Sequence, residues 1–537
     1  MRLQKSTAIL ILGAVPLLIG TAAVLAATTL TVVWTAGGLD AGSTGPGQSA
    51  RMAVDAVGNV AIVSGPASSR DLAVTSYTQD GTFRWRRSVT PAVGTFTGDW
   101  VAASPDGDFV AVGRNVSSSG SPIGTTLVRY TSDGTLLWRR DLVGTLPGVG
   151  RLLVDAAGNS YLAFNSVGDG QDIRLQKHDR AGALRWSQVI STGFFANDVA
   201  TSAALSPDGA DVLLTGSIVG GATWITAAFD TVTGARRWLV TAAEGLGARD
   251  VVVDATRVYV TGQGVTGAST PALAYWLTVI AYDRTRGARL WRRDMKPADA
   301  GNAAGLRMAF APDGAVIVTG QAQRGFLDWY TVALEPTGTV RWDAVRDGGL
   351  NTDEVPAAVF TLADGTSVVT GPGGPNLPGG YIPGVSVGYA PNGTLLWEAF
   401  ARMATVWGTA LPNGDVCATG GYDALITCWR PSGGTSGPPP QPQAPTAPTA
   451  LTAAAAGTRS IGLRWTNGTV TQTAVRIERC TGSGCTNFAQ VASVAGTAST
   501  YTDGRLATKT TYAYRVRAVN AAGMSPYSNT ATARTGR

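Results

Sequence analysis

The reading of this chain turns on Tyr282-Asp283-Arg284-Thr285-Arg286-Gly287-Ala288-Arg289-Leu290-Trp291. An Asp and a Gly a few residues apart bend a backbone sharply, because both residue types tolerate the left-handed conformations that tight hairpin turns need. A tryptophan then follows at a nearly constant distance. The same order recurs as Asp80-Gly81 to Trp85, Asp133-Gly134 to Trp138, Asp179 and Gly182 to Trp186, and Asp230 and Gly234 to Trp238. It recurs again as Gly338 to Trp342 and Asn392-Gly393 to Trp397. Successive tryptophans are 48 to 55 residues apart. A period near fifty with alternating strands is propeller-like.

A second repeated element counts the units independently. Strands end in Val63-Ser64-Gly65, Ala111-Val112-Gly113, Leu214-Thr215-Gly216, Val260-Thr261-Gly262, Val318-Thr319-Gly320, Val369-Thr370-Gly371 and Ala418-Thr419-Gly420. Tyr161 to Asn165 fills the remaining slot, which makes eight. Only seven tryptophan strands follow residue 50. The eighth is Thr29-Leu-Thr-Val-Val-Trp34, near the start of the chain. The expected fold is therefore all-β: an eight-bladed β-propeller over residues 28–430, closed by its N-terminal strand so that no long edge is left unpaired. The repeat anchors are Trp34, Trp85, Trp138, Trp186, Trp238, Trp291, Trp342 and Trp397, whose indoles are expected to pack between neighbouring blades.

Composition agrees with many short strands joined by turns. Among 537 residues there are 69 glycines, and charged residues make up 15%, well under the roughly 25% of an average globular chain. The formal charge is +6 and there is no Lys/Arg run, so no nucleic-acid partner is expected. Residues 1–27 carry Arg2 and Lys5, an apolar stretch from Ala8 to Leu25, then Ala26 and Ala27. This is the layout of a secretory signal peptide, cut after Ala26 or Ala27, with retention as an N-terminal anchor as the alternative. Once the signal is cleaved, no membrane span is expected. In an oxidising compartment the four cysteines would pair by proximity, as Cys417–Cys428 and Cys480–Cys485. The expected location is secreted or on a bacterial cell surface, and the protein is expected to be a monomer.

Residues 431–449 read as a Pro/Gly/Ser-rich linker. Beyond it, Ile461 to Trp465, Leu506, Thr511 to Asn520 and Ser525 to Asn529 resemble a fibronectin type III domain over residues 450–537. That resemblance implies an immunoglobulin-like β-sandwich, with Tyr512, six residues after Leu506, as its tyrosine corner. In residues 28–432, the Asp-x-x-Gly-Asn segments resemble bacterial propeller repeats of the SBBP type. The Tyr282-Asp283 to Trp291 pattern also resembles the tryptophan-docking repeats of quinoprotein dehydrogenases and outer-membrane assembly propellers. The quinoprotein resemblance would imply a vicinal cysteine pair and a calcium site; no Cys-Cys pair exists here, so no cofactor is expected.

Catalytic signals are few. His178 is the sole histidine and fills the repeat slot held by Tyr282 or Phe229 elsewhere, which excludes a Ser-His-Asp triad and a histidine metal site. The Asp-Gly pairs lack the alternating acids of a calcium loop and read as turns, so no metal is expected. The ligand-binding candidates are Asp198, Asn302, Asp353 and Arg402, each 11 or 12 residues before a turn glycine and so expected near one mouth of the central channel. The functional expectation is a binding scaffold without evident catalysis, with an extracellular protein or polysaccharide as partner. The alternatives are a polysaccharide-associated protein or glycoside hydrolase using a carboxylate pair, and a propeller serving envelope assembly.

Overall fold

The computed structural model describes residues 30–36, 51–64, 70–143, 149–167, 171–193, 197–218, 223–266, 274–348, 353–373, 383–401, 405–420, 425–431, 445–467, 472, 474–520 and 523–536. The expected signal segment, most of the expected linker and Arg402 lie outside them. The chain divides into two compact units, residues 1–434 and 435–537. The described residues form strands and no helix, so no helix long and apolar enough to cross a membrane occurs among them.

In the first unit there are eight four-stranded antiparallel sheets. Seven are built from four consecutive strands. The first is Arg51–Val54, Val60–Ser64, Leu72–Tyr77 and Phe83–Val89. The later sheets open with Thr95–Ala103, Val149–Val154, Asp198–Leu205, Gly245–Val253, Ala303–Phe310 and Ala358–Thr361. The eighth takes Thr405–Ala410, Val416–Gly420 and Leu425–Pro431, and its fourth strand is Leu30–Ala36 from the far end of the chain. The register runs from Leu30 opposite Pro431 to Ala36 opposite Ile426. The opening strand of each sheet lies beside that of the next, and the eighth lies beside the first.

The repeated residues hold successive sheets together. Each repeat glycine at the third turn has a positive φ, between 68° and 86° for Gly81, Gly134, Gly182, Gly234, Gly287, Gly338 and Gly393. A Cβ added at any of them would lie 2.5–2.8 Å from the indole of the preceding sheet's tryptophan. Each indole therefore lies flat on the glycine of the next sheet. Its Nε1–H donates to a carbonyl of that same turn, at 2.7–3.2 Å: Trp34 to Gln79, Trp85 to Ser132, Trp138 to Arg180, Trp186 to Thr231, Trp238 to Arg284, Trp291 to Pro336 and Trp342 to Pro391. Arg87, Arg140 and Arg293, two residues after their tryptophans, donate to the same glycines' carbonyls. The Arg-Arg pairs thus serve the junctions. Trp397 has no such turn to meet, because the third and fourth strands of the eighth sheet come from opposite ends of the chain. It packs with Val416 and Trp429 instead.

Each unit has its own disulfide: Cys417–Cys428 joins neighbouring strands of the eighth sheet, and Cys480–Cys485 closes a hairpin loop in the second unit. The second unit is a sandwich of a three-stranded sheet (Thr449–Gly457, Ser460–Thr466, Thr500–Asp503) and a sheet centred on Ala474–Thr481 and Thr511–Asn520. Between them are buried Ile461, Leu463, Trp465, Ile477, Tyr514 and Val516. Leu506 is buried as well, and the Tyr512 hydroxyl accepts the Ala507 N–H at 3.0 Å.

Candidate functional site

The opening strands carry the part of the molecule that does not repeat. In all eight sheets the turn after the opening strand begins with a residue whose N–H bonds across it: Asp55, Ser104, Asp155, Ser206, Asp254, Ala311, Leu362 and Leu411. Four residues before each is one equivalent position, occupied in turn by Arg51, Trp100, Arg151, Ser202, Asp250, Arg307, Ala358 and Trp407. In six sheets a β-bulge immediately precedes this residue, at Asp99, Gly150, Thr201, Arg249, Leu306 and Val406. A bulge inserts one residue and re-aims the side chain that follows.

The second repeat element now has a cause. Gly113, Gly216, Gly262 and Gly320 lie opposite these bulges, and a Cβ on any of them would strike the carbonyl of the bulged strand: Thr97, Val199, Gly247 and Ala304. Glycine is needed there so that the opening strand can kink.

Side chains from separate sheets meet at this position. The Arg51 guanidinium lies over Trp100, 3.8 Å from the ring centroid, and 4.7 Å from that of Trp407. Arg151 lies 4.5 Å from Trp100 and 5.9 Å from Trp407. The two indoles meet edge to face at 5.3 Å. Across the cluster, Ser202 Oγ donates to Asp250 Oδ1 at 2.6 Å, and the Met308 N–H donates to Asp250 Oδ2 at 2.9 Å. Arg307 Nε donates to the Ala357 carbonyl at 3.2 Å.

Charge is unbalanced here. Burial, then the Arg307 and Arg151 charges, push the Arg51 guanidinium down to about 9, against the opposing pull of Asp99 and Asp250. Burial lowers Arg151 as well, with Asp250 opposing and Arg307 adding to the fall. Asp99 is held by Arg114 at 2.9 Å. Neither the Arg51 nor the Arg151 guanidinium makes a hydrogen bond or ion pair among the described residues. Both residues are half-buried. The arrangement suits recognition of a negatively charged group. Both nearby carboxylates, Asp99 and Asp250, already accept hydrogen bonds.

The residues singled out from the sequence sit four or five positions earlier, where the chain enters the opening strands. Asp198 is fully buried and accepts the N–H and hydroxyl of Thr192, both at 2.7 Å. Asn302 accepts the Tyr275 N–H at 3.1 Å and donates to Gln323 at 3.0 Å. Asp353 accepts the Leu327 N–H at 3.0 Å. None of the three bonds to another, and Arg402 lies outside the described residues. His178 is buried in the third sheet opposite Ser160, where burial lowers its pKa. Among the described residues no group of three His, Cys, Asp or Glu side chains is placed to hold a metal.

Comparison with known proteins separates the two units. The fibronectin type III domain family matches residues 446–534. A solved Fn3-like protein from Clostridium thermocellum is 29% identical, with 18% of this chain and 97% of that one covered and a TM-score of 0.16. The solved structure of FN3tt is 25% identical over 18% of this chain and 98% of its own, also at a TM-score of 0.16. Kuenenia stuttgartiensis hydrazine synthase aligns over 62% of this chain and 94% of its own, at 16% identity and a TM-score of 0.41. No curated relative matches. Residues 446–534 are a fibronectin type III domain.

Proposed function

We propose that the chain is a secreted or surface-associated binding scaffold. In this reading its eight sheets are the blades of an eight-bladed β-propeller closed by the N-terminal strand, and its fibronectin type III domain is a spacer or second contact. Three features support the propeller: eight four-stranded sheets, opening strands adjacent in sequence order and from eighth to first, and indoles docked from sheet to sheet. Two disulfides and the basic–apolar–small layout of residues 1–27 support a location outside the cytoplasm.

The single observation that carries the binding role is the cluster of Arg51, Trp100, Arg151 and Trp407. Four sheets contribute one side chain each to one place, and two of those side chains are guanidinium groups with no direct ion pair among the described residues. Co-sedimentation of the mature protein with a panel of cell-wall and plant polysaccharides, with the supernatant assayed for released sugar, tests this. Binding without release is expected for a carbohydrate-associated scaffold. Release of sugar would replace the scaffold with a hydrolase. No binding to any polymer would leave an extracellular protein as the partner.

A further inference from the structure

We infer that the ring position of the opening strands is an oxyanion site, at which the guanidinium groups of Arg51 and Arg151 hold a carboxylate or phosphate group of the ligand. This deepens the binding-scaffold reading and rests on it.

Elsewhere in the same unit, buried arginines are paired. Arg129 is fully buried and bonds Asp106 and Asp108. Arg284 meets Asp208 and Asp211. Arg346 meets Glu354 and Glu398. The fold thus supplies carboxylates to arginines that only hold it together. At the ring position it does the reverse. Three of the eight equivalent residues are arginine and only Asp250 is acidic, with its oxygens already bonded to Ser202, Val251 and Met308. At the bulged position, the exposed Arg249 before Asp250 adds a further cation, and Asp99 before Trp100 is a carboxylate already held by Arg114. Gathering like charges away from bulk water destabilises the folded chain unless something offsets it. An anionic ligand would.

The tryptophans prepare the site. A guanidinium stacked flat on an indole is held by its face and keeps its N–H edge free for a planar or tetrahedral oxyanion. Arg51 lies over Trp100 at 3.8 Å from its centroid, with Trp407 alongside at 4.7 Å. The bulge before each tryptophan aims it there.

The test is calorimetric titration of the full mature chain at low ionic strength, with sodium phosphate, a galacturonate oligosaccharide, and a neutral glucose oligosaccharide of equal length. Arg151→Gln, Arg151→Lys and, as a charge control on the surface, Arg341→Gln are compared with the unchanged chain. Saturable binding of at least one anion is expected, with none of the neutral oligosaccharide. Affinity should fall more than about tenfold in Arg151→Gln, the scale of a lost charge-assisted hydrogen bond, and stay unchanged in Arg341→Gln. Binding of the galacturonate alone identifies an acidic saccharide as the source of the oxyanion; binding of phosphate identifies a small free anion. In anion-free buffer Arg151→Gln should unfold at the same temperature as the unchanged chain or higher. Absence of saturable anion binding would overturn the inference. So would equal affinity in Arg151→Gln, or a lowered unfolding temperature in that variant restored by Arg151→Lys. Polysaccharide co-sedimentation that survives Arg151→Gln would sink the ring site and leave the scaffold standing. Anion binding without any polymer binding would do the opposite.

Discussion

The junctions between sheets and the ring of opening-strand residues occupy the same eight-fold repeat, yet they differ in kind. At seven of the eight junctions the same choice is made: tryptophan on glycine, indole N–H to a turn carbonyl. At the ring the eight equivalent residues are Arg, Trp, Arg, Ser, Asp, Arg, Ala and Trp. The junction must solve one packing problem repeatedly, and a flat indole on a bare backbone solves it by burying a large apolar area without steric cost. The ring position faces no such uniform demand. Variation among copies of one repeat therefore separates residues that build the scaffold from residues free to specialise.

Removing the N-terminal strand should have the largest effect on the junctions. Deleting residues 28–34 takes away the fourth strand of the eighth sheet and the Trp34 indole that rests on Gly81. A loss of about 3–5 kcal/mol is expected, since the half-buried Trp34 indole and the pairing of its whole strand are lost together and an edge is left unpaired. Denaturant unfolding measures it, and an unchanged midpoint would refute the closing role of this strand.

A pair of glycine substitutions sharpens the point. Gly234 and Gly414 both have φ near +80°, at 74° and 84°, but only Gly234 lies under an indole, that of Trp186. Gly414→Ala should cost about 1–2 kcal/mol from the left-handed backbone alone. Gly234→Ala should cost about 1–3 kcal/mol more, the scale of overpacking a filled site, with reduced burial of Trp186 visible in its fluorescence. Equal losses would mean that the stacked indole carries none of the junction's stability.

The smallest effect belongs to the ring. The folded state holds Arg51 down to about 9, well below its unfolded value, so its protonated form is disfavoured by folding. That penalty is fully present below about pH 9 and fades as pH rises toward about 12. Arg51→Gln should therefore match or slightly exceed the stability of the unchanged chain near neutral pH. Its advantage should shrink in alkaline buffer. A stability advantage that grows with pH would contradict an uncompensated charge at this position.

Much of the architecture was legible in the sequence because it is local and repeated. Asp-Gly and Asn-Gly turns, a tryptophan at a constant distance and a glycine closing each second strand can be counted along the chain. Even the missing eighth tryptophan points to the chain's other end. Trp465, Leu506 and Tyr512 marked the C-terminal sandwich in the same way. The ring was not legible. Asp198, Asn302 and Asp353 drew notice as polar residues at strand entries, and each is bonded to a nearby loop or strand. The ring residues lie a few positions further on and differ from copy to copy, so a search for recurring residue types passes over them. One signal was present: Gly113, Gly216, Gly262 and Gly320 mark the bulges that aim the ring side chains.

The number of units, the turns, the junction residues and the place of the N-terminal strand can be read along the chain, because backbone conformation and apolar spacing depend on near neighbours. Only the tertiary structure decided that Arg51, Trp100, Arg151 and Trp407, hundreds of residues apart at the extremes, share one place. That convergence arises from bulges and the packing of eight sheets side by side. The charge imbalance it creates belongs to no single repeat.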